Sequence, residues 1–283
     1  MHVRVQRKLV SITRKLWFYL LFVLLQFIPP FTSKGGIITP FNLSKRTEIT
    51  VDILQHALVS SLGVLYPIFK VIPIILVISI IFLGKRTARW FNAYVGILYV
   101  LFAFLQHIAV TEQYGLSILV TNFVSLLIVA AFWFWDVFAQ KNDFTPKEQP
   151  MWKYWVVPLA FLAFWYPLNP STAMPDFNPI YLLTNVAGLT FCMMTPIYLA
   201  ILTLYYPRIN LATLRVTGLV GIIIACYNVL MNFILYPSLL WWNGILHIPL
   251  LTISGHALSL KKSVINHHAH ALFDEFRSKR IER

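Results

Sequence analysis

Long apolar runs separated by short charged connectors constrain this chain more than any motif in it. Runs such as 91–110, 116–138, 180–205, 213–236 and 238–260 approach the roughly 20 residues that an α-helix needs to cross a bilayer core of about 30 Å. A water-facing surface does not carry that pattern. Hydrophobic residues make up 58% of the chain and charged ones 12%, where ordinary soluble domains have about 25% charged. No polar stretch is long enough to bury a core of its own, so residues 1–283 read as a single integral membrane domain. The expected fold class is all-α, a polytopic transmembrane helical bundle with about eight spans plus one re-entrant or interfacial helix.

The first apolar run, Leu16 to Ile28, follows the basic segment 1–15 and imitates a secretory signal. It ends in Pro29-Pro30 without a small-residue cleavage site, which favours a retained first helix. A polar connector, 32–52, follows; its Asn42-Leu43-Ser44 matches a glycosylation acceptor, relevant only in a eukaryotic source. As one helix, 51–84 would be about 50 Å long, and Pro67, Lys70 and Pro73 divide it. The expectation is an interfacial or re-entrant helix at 53–69, a break near Pro67–Pro73 and a spanning helix at 71–84, with one long kinked helix as the alternative. The 154–168 run is short enough for a partial insertion.

Lysine and arginine give the direction. With the N-terminus inside and strict alternation, the inner segments hold five (1–15), three (Lys85, Arg86, Arg89), three (Lys141, Lys147, Lys153), two (Arg208, Arg215) and six (261–283). Those nineteen of the 23 basic residues place both termini in the cytoplasm, the basic tail 261–283 included. The net charge of +13 is therefore read as a topology signal and as contact with anionic lipid at the cytoplasmic face, not as a nucleic-acid footprint. The lipid bilayer is the expected partner; partner subunits fit the same pattern.

In lipid, buried helix faces show small and polar residues. Such stripes run along Gly218, Gly221, Ala225, Asn228 and Asn232, and along Asn185, Gly188, Cys192 and Thr195. Asn243 and His247 share a face at i, i+4, and His107 ends its own run. By depth, Asn185, Asn228, Asn232, Asn243 and His247 fall in the outer half of the membrane, with His107 at the outer rim. These six are the candidate substrate-binding residues. Buried asparagines often serve only as interhelical hydrogen-bond partners, whereas an intramembrane histidine is a functional hypothesis by default.

Several chemistries lack their residues. His247 and His256, nine residues apart, point to opposite faces of one helix and cannot share a metal. There is no HExxH, no Gly-rich phosphate loop and no Schiff-base lysine near the centre of a span, and no cofactor is specified. The histidines of the tail, His267, His268 and His270, read as a solvated juxtamembrane patch. Three functions remain. The first is a carrier, or membrane subunit of a carrier, for a small neutral or amphipathic compound. The second is a membrane-embedded enzyme acting on a lipid-like substrate through an intramembrane histidine. The third is a non-catalytic subunit of a membrane complex.

Overall fold

The computed structural model describes residues 2–36, 39, 42–146 and 148–260. Lys147 and the whole tail 261–283, with its basic residues and histidines, lie outside the described residues.

The chain is mostly helical. In order it forms α1 (His2–Ile12), α2 (Leu16–Leu25), α3 (Leu43–Gln55), α4 (Tyr66–Leu83), α5 (Ala88–His107) and α6 (Val120–Ala139). There follow α7 (Val156–Trp165), α8 (Tyr181–Thr184), α9 (Phe191–Tyr205), α10 (Leu211–Val229) and α11 (Pro237–Ser259). Three short strands, β1 (Phe31–Thr32), β2 (Ile108–Thr111) and β3 (Gly115–Ile118), form an antiparallel sheet in the order β1-β3-β2.

Among the described residues, three helical stretches suffice by length and composition to cross a membrane: Leu58–His107, Val120–Ala139 and Leu211–Leu235. A fourth is added if Tyr181–Leu189 and Phe191–Tyr205, bent by 95°, make one broken span. The first stretch doubles back. A β-bridge between Ala57 and Ala109 brings its two ends together, and the reversal comes at Gly84. The φ of Gly84 is 54°, and a Cβ there would lie 3.1 Å from the Thr145 Cα. Only glycine takes that backbone without strain.

Several boundaries move from their sequence expectation. The run 91–110 is a helix only to His107, and 116–138 becomes helical only at Val120, because 108–118 form the β2–β3 hairpin. The run 180–205 is broken rather than continuous. The 51–84 segment is divided, but earlier than its prolines. α3 stops at Gln55, a 3₁₀ turn covers Leu58–Leu65 with a kink at Leu62, and α4 runs unbroken past Pro73. Pro67 sits in the first turn of α4, where its missing N–H costs nothing. The division therefore belongs to the chain before the first proline.

The main core is apolar and aromatic, with Phe91, Tyr99, Phe102, Trp133 and Tyr198 all buried. α5 packs along α6 and α10 along α11. Gly221 permits the second contact: a Cβ there would meet the Ser254 Oγ at 2.2 Å. At the hairpin end, α3 buries Ile49 and Ile53 against Ala109, Tyr114 and Leu119. Lys45 Nζ donates to the Tyr114 hydroxyl at 2.8 Å, and Tyr114 donates to Glu48. The hydrogen bonds from Tyr114 and Lys45, that from Tyr114 first, hold the Glu48 carboxyl below its usual range.

Candidate functional site

The site begins where α7 stops. Its last residue is followed by Tyr166 at φ 50°, a left-handed cap, and then by Pro167, which cannot continue the helix. The orphan carbonyls at that end find side chains from three other elements. Lys70 of α4 donates its ammonium to the Phe164 carbonyl and lies 4.4 Å from the centre of the Phe164 ring. Asn185 Nδ2 bonds the carbonyls of Trp165 and Tyr166 at 2.7 and 3.0 Å. Trp242 Nε1 bonds the Pro167 carbonyl at 2.7 Å. A cation at a helix C-terminus meets the negative end of the helix dipole.

From Tyr166 a chain of amides leads inward. The Tyr166 hydroxyl donates to Asn243 Oδ1 at 3.0 Å, and Asn243 Nδ2 donates to Asn232 Oδ1 at 3.0 Å. Asn232 Nδ2 bonds the Asn228 carbonyl at 2.8 Å, and Asn228 Nδ2 lies 3.7 Å from Cys192 Sγ. His247 is buried one turn beyond Asn243, and its Nδ1 pairs with the Asn243 carbonyl at 2.7 Å. Its Nε2 has no hydrogen-bond partner among the described residues.

Besides the stop of α7, two more elements that supply this seam are irregular where they do so. α10 passes into a π-helix at Leu230–Leu235, and the Tyr236 N–H reaches back five residues to Met231. The 95° break before α9 leaves Thr190 extended and the Phe191 N–H bonded to Gln106 Oε1 at 2.7 Å. Gly188 allows that corner to touch α4: a Cβ would sit 2.7 Å from the Phe69 carbonyl oxygen. Pro196 and Pro249, inside α9 and α11, lack the N–H groups that would bond the carbonyls of Cys192 and Ile245. Broken and bulged helices in lipid are confined to places where protein or a polar cavity satisfies the freed backbone.

Compared with known protein families, curated proteins and solved structures, the chain matches none. The site therefore rests on its own geometry.

Five of the six predicted site residues, Asn185, Asn228, Asn232, Asn243 and His247, come together. The sixth does not. His107 is buried at the end of α5 rather than at an open rim, and its Nδ1 pairs with the Phe102 carbonyl of its own helix at 3.0 Å. Two further residues belong to the site without a clear mark in the sequence. Lys70, expected at a hinge, is instead fully buried in the second turn of α4. Its signal is a lone cation in an otherwise apolar 66–83. Tyr166 has only the following Pro167 to announce it.

A second polar centre lies at the opposite end of the bundle. Asp136 is fully buried, and its carboxylate accepts from Asn142 Nδ2 at 2.8 Å, Asn210 Nδ2 at 3.1 Å and the Lys141 N–H. The Thr213 hydroxyl is shared between this carboxylate and the Phe132 carbonyl. Gln6 of α1 joins through Asn210 at 2.7 Å and accepts from Trp135 at 2.6 Å. The oxygens of Asn142 and Asn210 are likewise engaged by backbone N–H groups. A carboxylate so fully supplied with donors has no lone pair left for a ligand. This centre fastens α1, α6 and α10 together.

Proposed function

We propose that this chain is a multi-spanning membrane protein that carries, alone or as the membrane subunit of a carrier, a small neutral or amphipathic compound through the seam at the end of α7. The observation that supports the reading is the convergence of three backbone irregularities on one chain of amides. The left-handed stop of α7, the break before α9 and the π-helix after α10 all border Tyr166, Asn185, Asn228, Asn232 and Asn243. Substrate sites of carriers are commonly built at such discontinuous helices, where freed backbone groups and side-chain amides are available together.

On this reading α2, α4, α5, α6, α7, the α8–α9 pair, α10 and α11 alternate across the bilayer. Two sets of contacts support the alternation. The sheet gathers 31–32 and 108–118 at one end, with Ala57 beside it. The Asp136 centre gathers Gln6, Asn92, Asn142 and Asn210 at the other. The basic residues favour the Asp136 end as cytoplasmic. Single cysteines placed at Glu148 and Thr172, with Cys192 and Cys226 replaced by alanine, test this in intact cells. Thr172 is expected to label from outside and Glu148 only after permeabilisation. External labelling at Glu148 rejects the alternation.

The substrate reading is tested by extracting the protein purified in mild detergent and identifying retained small molecules by mass spectrometry. Asn243→Leu breaks the Tyr166–Asn243–Asn232 link and is expected to lower retention of the bound compound at least about tenfold. Loss of one or two hydrogen bonds, with their partners left buried, is worth that much. A wild-type protein that retains nothing, or equal retention by the variant, leaves the seam as packing and favours the non-catalytic subunit.

The free Nε2 of the buried His247 favours a second reading, an enzyme acting on a lipid-like substrate. The same preparation distinguishes it. His247→Leu would then abolish turnover of added phospholipid while leaving retention intact, and a wild-type protein that turns over no lipid rejects it.

A further inference from the structure

Arg215 is 3% exposed in the second turn of α10, and no carboxylate among the described residues pairs with it. Its one hydrogen bond among the described residues runs from an Nη to the Val10 carbonyl at 3.3 Å, in the last turn of α1. Arg14, four residues after Val10 in the turn between α1 and α2, brings a second charge of the same sign to this end of α1. Tyr19 of α2 and Tyr206, before α10, complete the surroundings. Among the described residues, no acid pairs with Arg215. The sequence has none from residue 1 to 47 and none between Asp176 and Asp274. Asp136, which approaches this end of α10, is already saturated by its donors.

Magnitudes show that the arrangement is incomplete. The end of α1 offers at most about half a negative charge, and the start of α10 adds about half a positive one. The two guanidinium groups at this junction therefore get no net compensation from the helix ends. A buried charge without a partner is costly, and guanidinium groups pair best with oxyanions through forked hydrogen bonds.

We propose that Arg14 and Arg215 form a seat for the phosphodiester of an anionic phospholipid, at the membrane surface between the α1–α2 turn and the start of α10. Lipid is favoured over free phosphate because the seat borders α2, whose outward residues Leu16, Trp17 and Leu20 are exposed apolar side chains suited to acyl chains. Tyr206, whose hydroxyl donates to the Leu260 carbonyl, closes the side nearest α11. This inference rests on the membrane reading above, but it does not depend on which face is cytoplasmic.

The test is native mass spectrometry of the full chain in detergent, titrated with phosphatidylglycerol, phosphatidylcholine or inorganic phosphate. Phosphatidylglycerol is expected to bind in preference to phosphatidylcholine. Arg14→Gln and Arg215→Gln should each weaken it roughly tenfold, the loss of one charge-assisted contact. Arg7→Gln, an exposed cation on α1, should leave it unchanged. Arg14 is exposed in a turn, so its variant folds even if the buried Arg215→Gln does not. Equal binding of the two lipids, or equal loss with Arg7→Gln, overturns the proposal. Displacement of the lipid by millimolar inorganic phosphate overturns the choice of lipid as the source. The micelle has no inside or outside, so a failed labelling experiment leaves this result standing, and the reverse also holds.

Discussion

Asp136→Ala is expected to destabilise the protein by about 3 kcal/mol or more, because it strands several donors in the interior at once. Asn210 Nδ2 and the Lys141 N–H lose their acceptor outright, and Asn142 Nδ2 keeps only Asn92. Each buried donor left unmatched costs about 1–3 kcal/mol. The damage spreads to Gln6, which holds α1 through the same Asn210. Asp136→Asn retains the shape and one acceptor oxygen but turns a donor toward other donors, so it should fall between alanine and the wild type. Thermal unfolding in detergent, followed by tryptophan fluorescence, reads this directly, since Trp133 and Trp135 flank the site. An alanine variant that melts with the wild type would show that the network is ornamental.

Lys70→Met should separate stability from function. Burying an ammonium carries a large desolvation cost, and an apolar isostere often matches or exceeds its stability. Against that gain stands the Phe164 carbonyl, which loses its donor at the end of α7. The two effects should cancel to within about 2 kcal/mol. If the end of α7 forms the carrier site, the variant should fold yet retain its small molecule at least about tenfold less. Full retention by a folded Lys70→Met would reduce the lysine to a helix cap. Lys70→Arg is a poor substitute, since the side chain is fully enclosed and a longer, forked group would have to displace its neighbours.

Most of the helices are legible in the sequence, because span-length apolar runs have few alternatives. Their ends are misplaced wherever apolar chain is not helical. β2 and β3 carry Ile108, Val110, Leu116 and Ile118, which hydropathy cannot tell from a helical turn. The break before α9 is hidden for the same reason: Val186–Leu189 are as apolar as the helix that follows. Four of the six site residues can be found because asparagine in an apolar run has to hydrogen-bond something, and His247 because a buried imidazole must do the same. His107 misleads because a histidine can bond its own helix, and sequence does not show which way it turns. Lys70 reads as a hinge residue because two prolines bracket it. The structure breaks the chain earlier, and that leaves the lysine inside.

The bond between Gln6 and Asn210 spans 204 residues of sequence. During synthesis α1 leaves the ribosome long before α10 exists, so the acceptor for Gln6 is absent while most of the bundle inserts. Contacts of such separation form late, after the loop they close has been ordered by other means. α1 is thus among the first segments made and among the last to dock. A bulky fusion ahead of residue 2 would act on that final step, slowing maturation while leaving insertion of the intervening helices untouched.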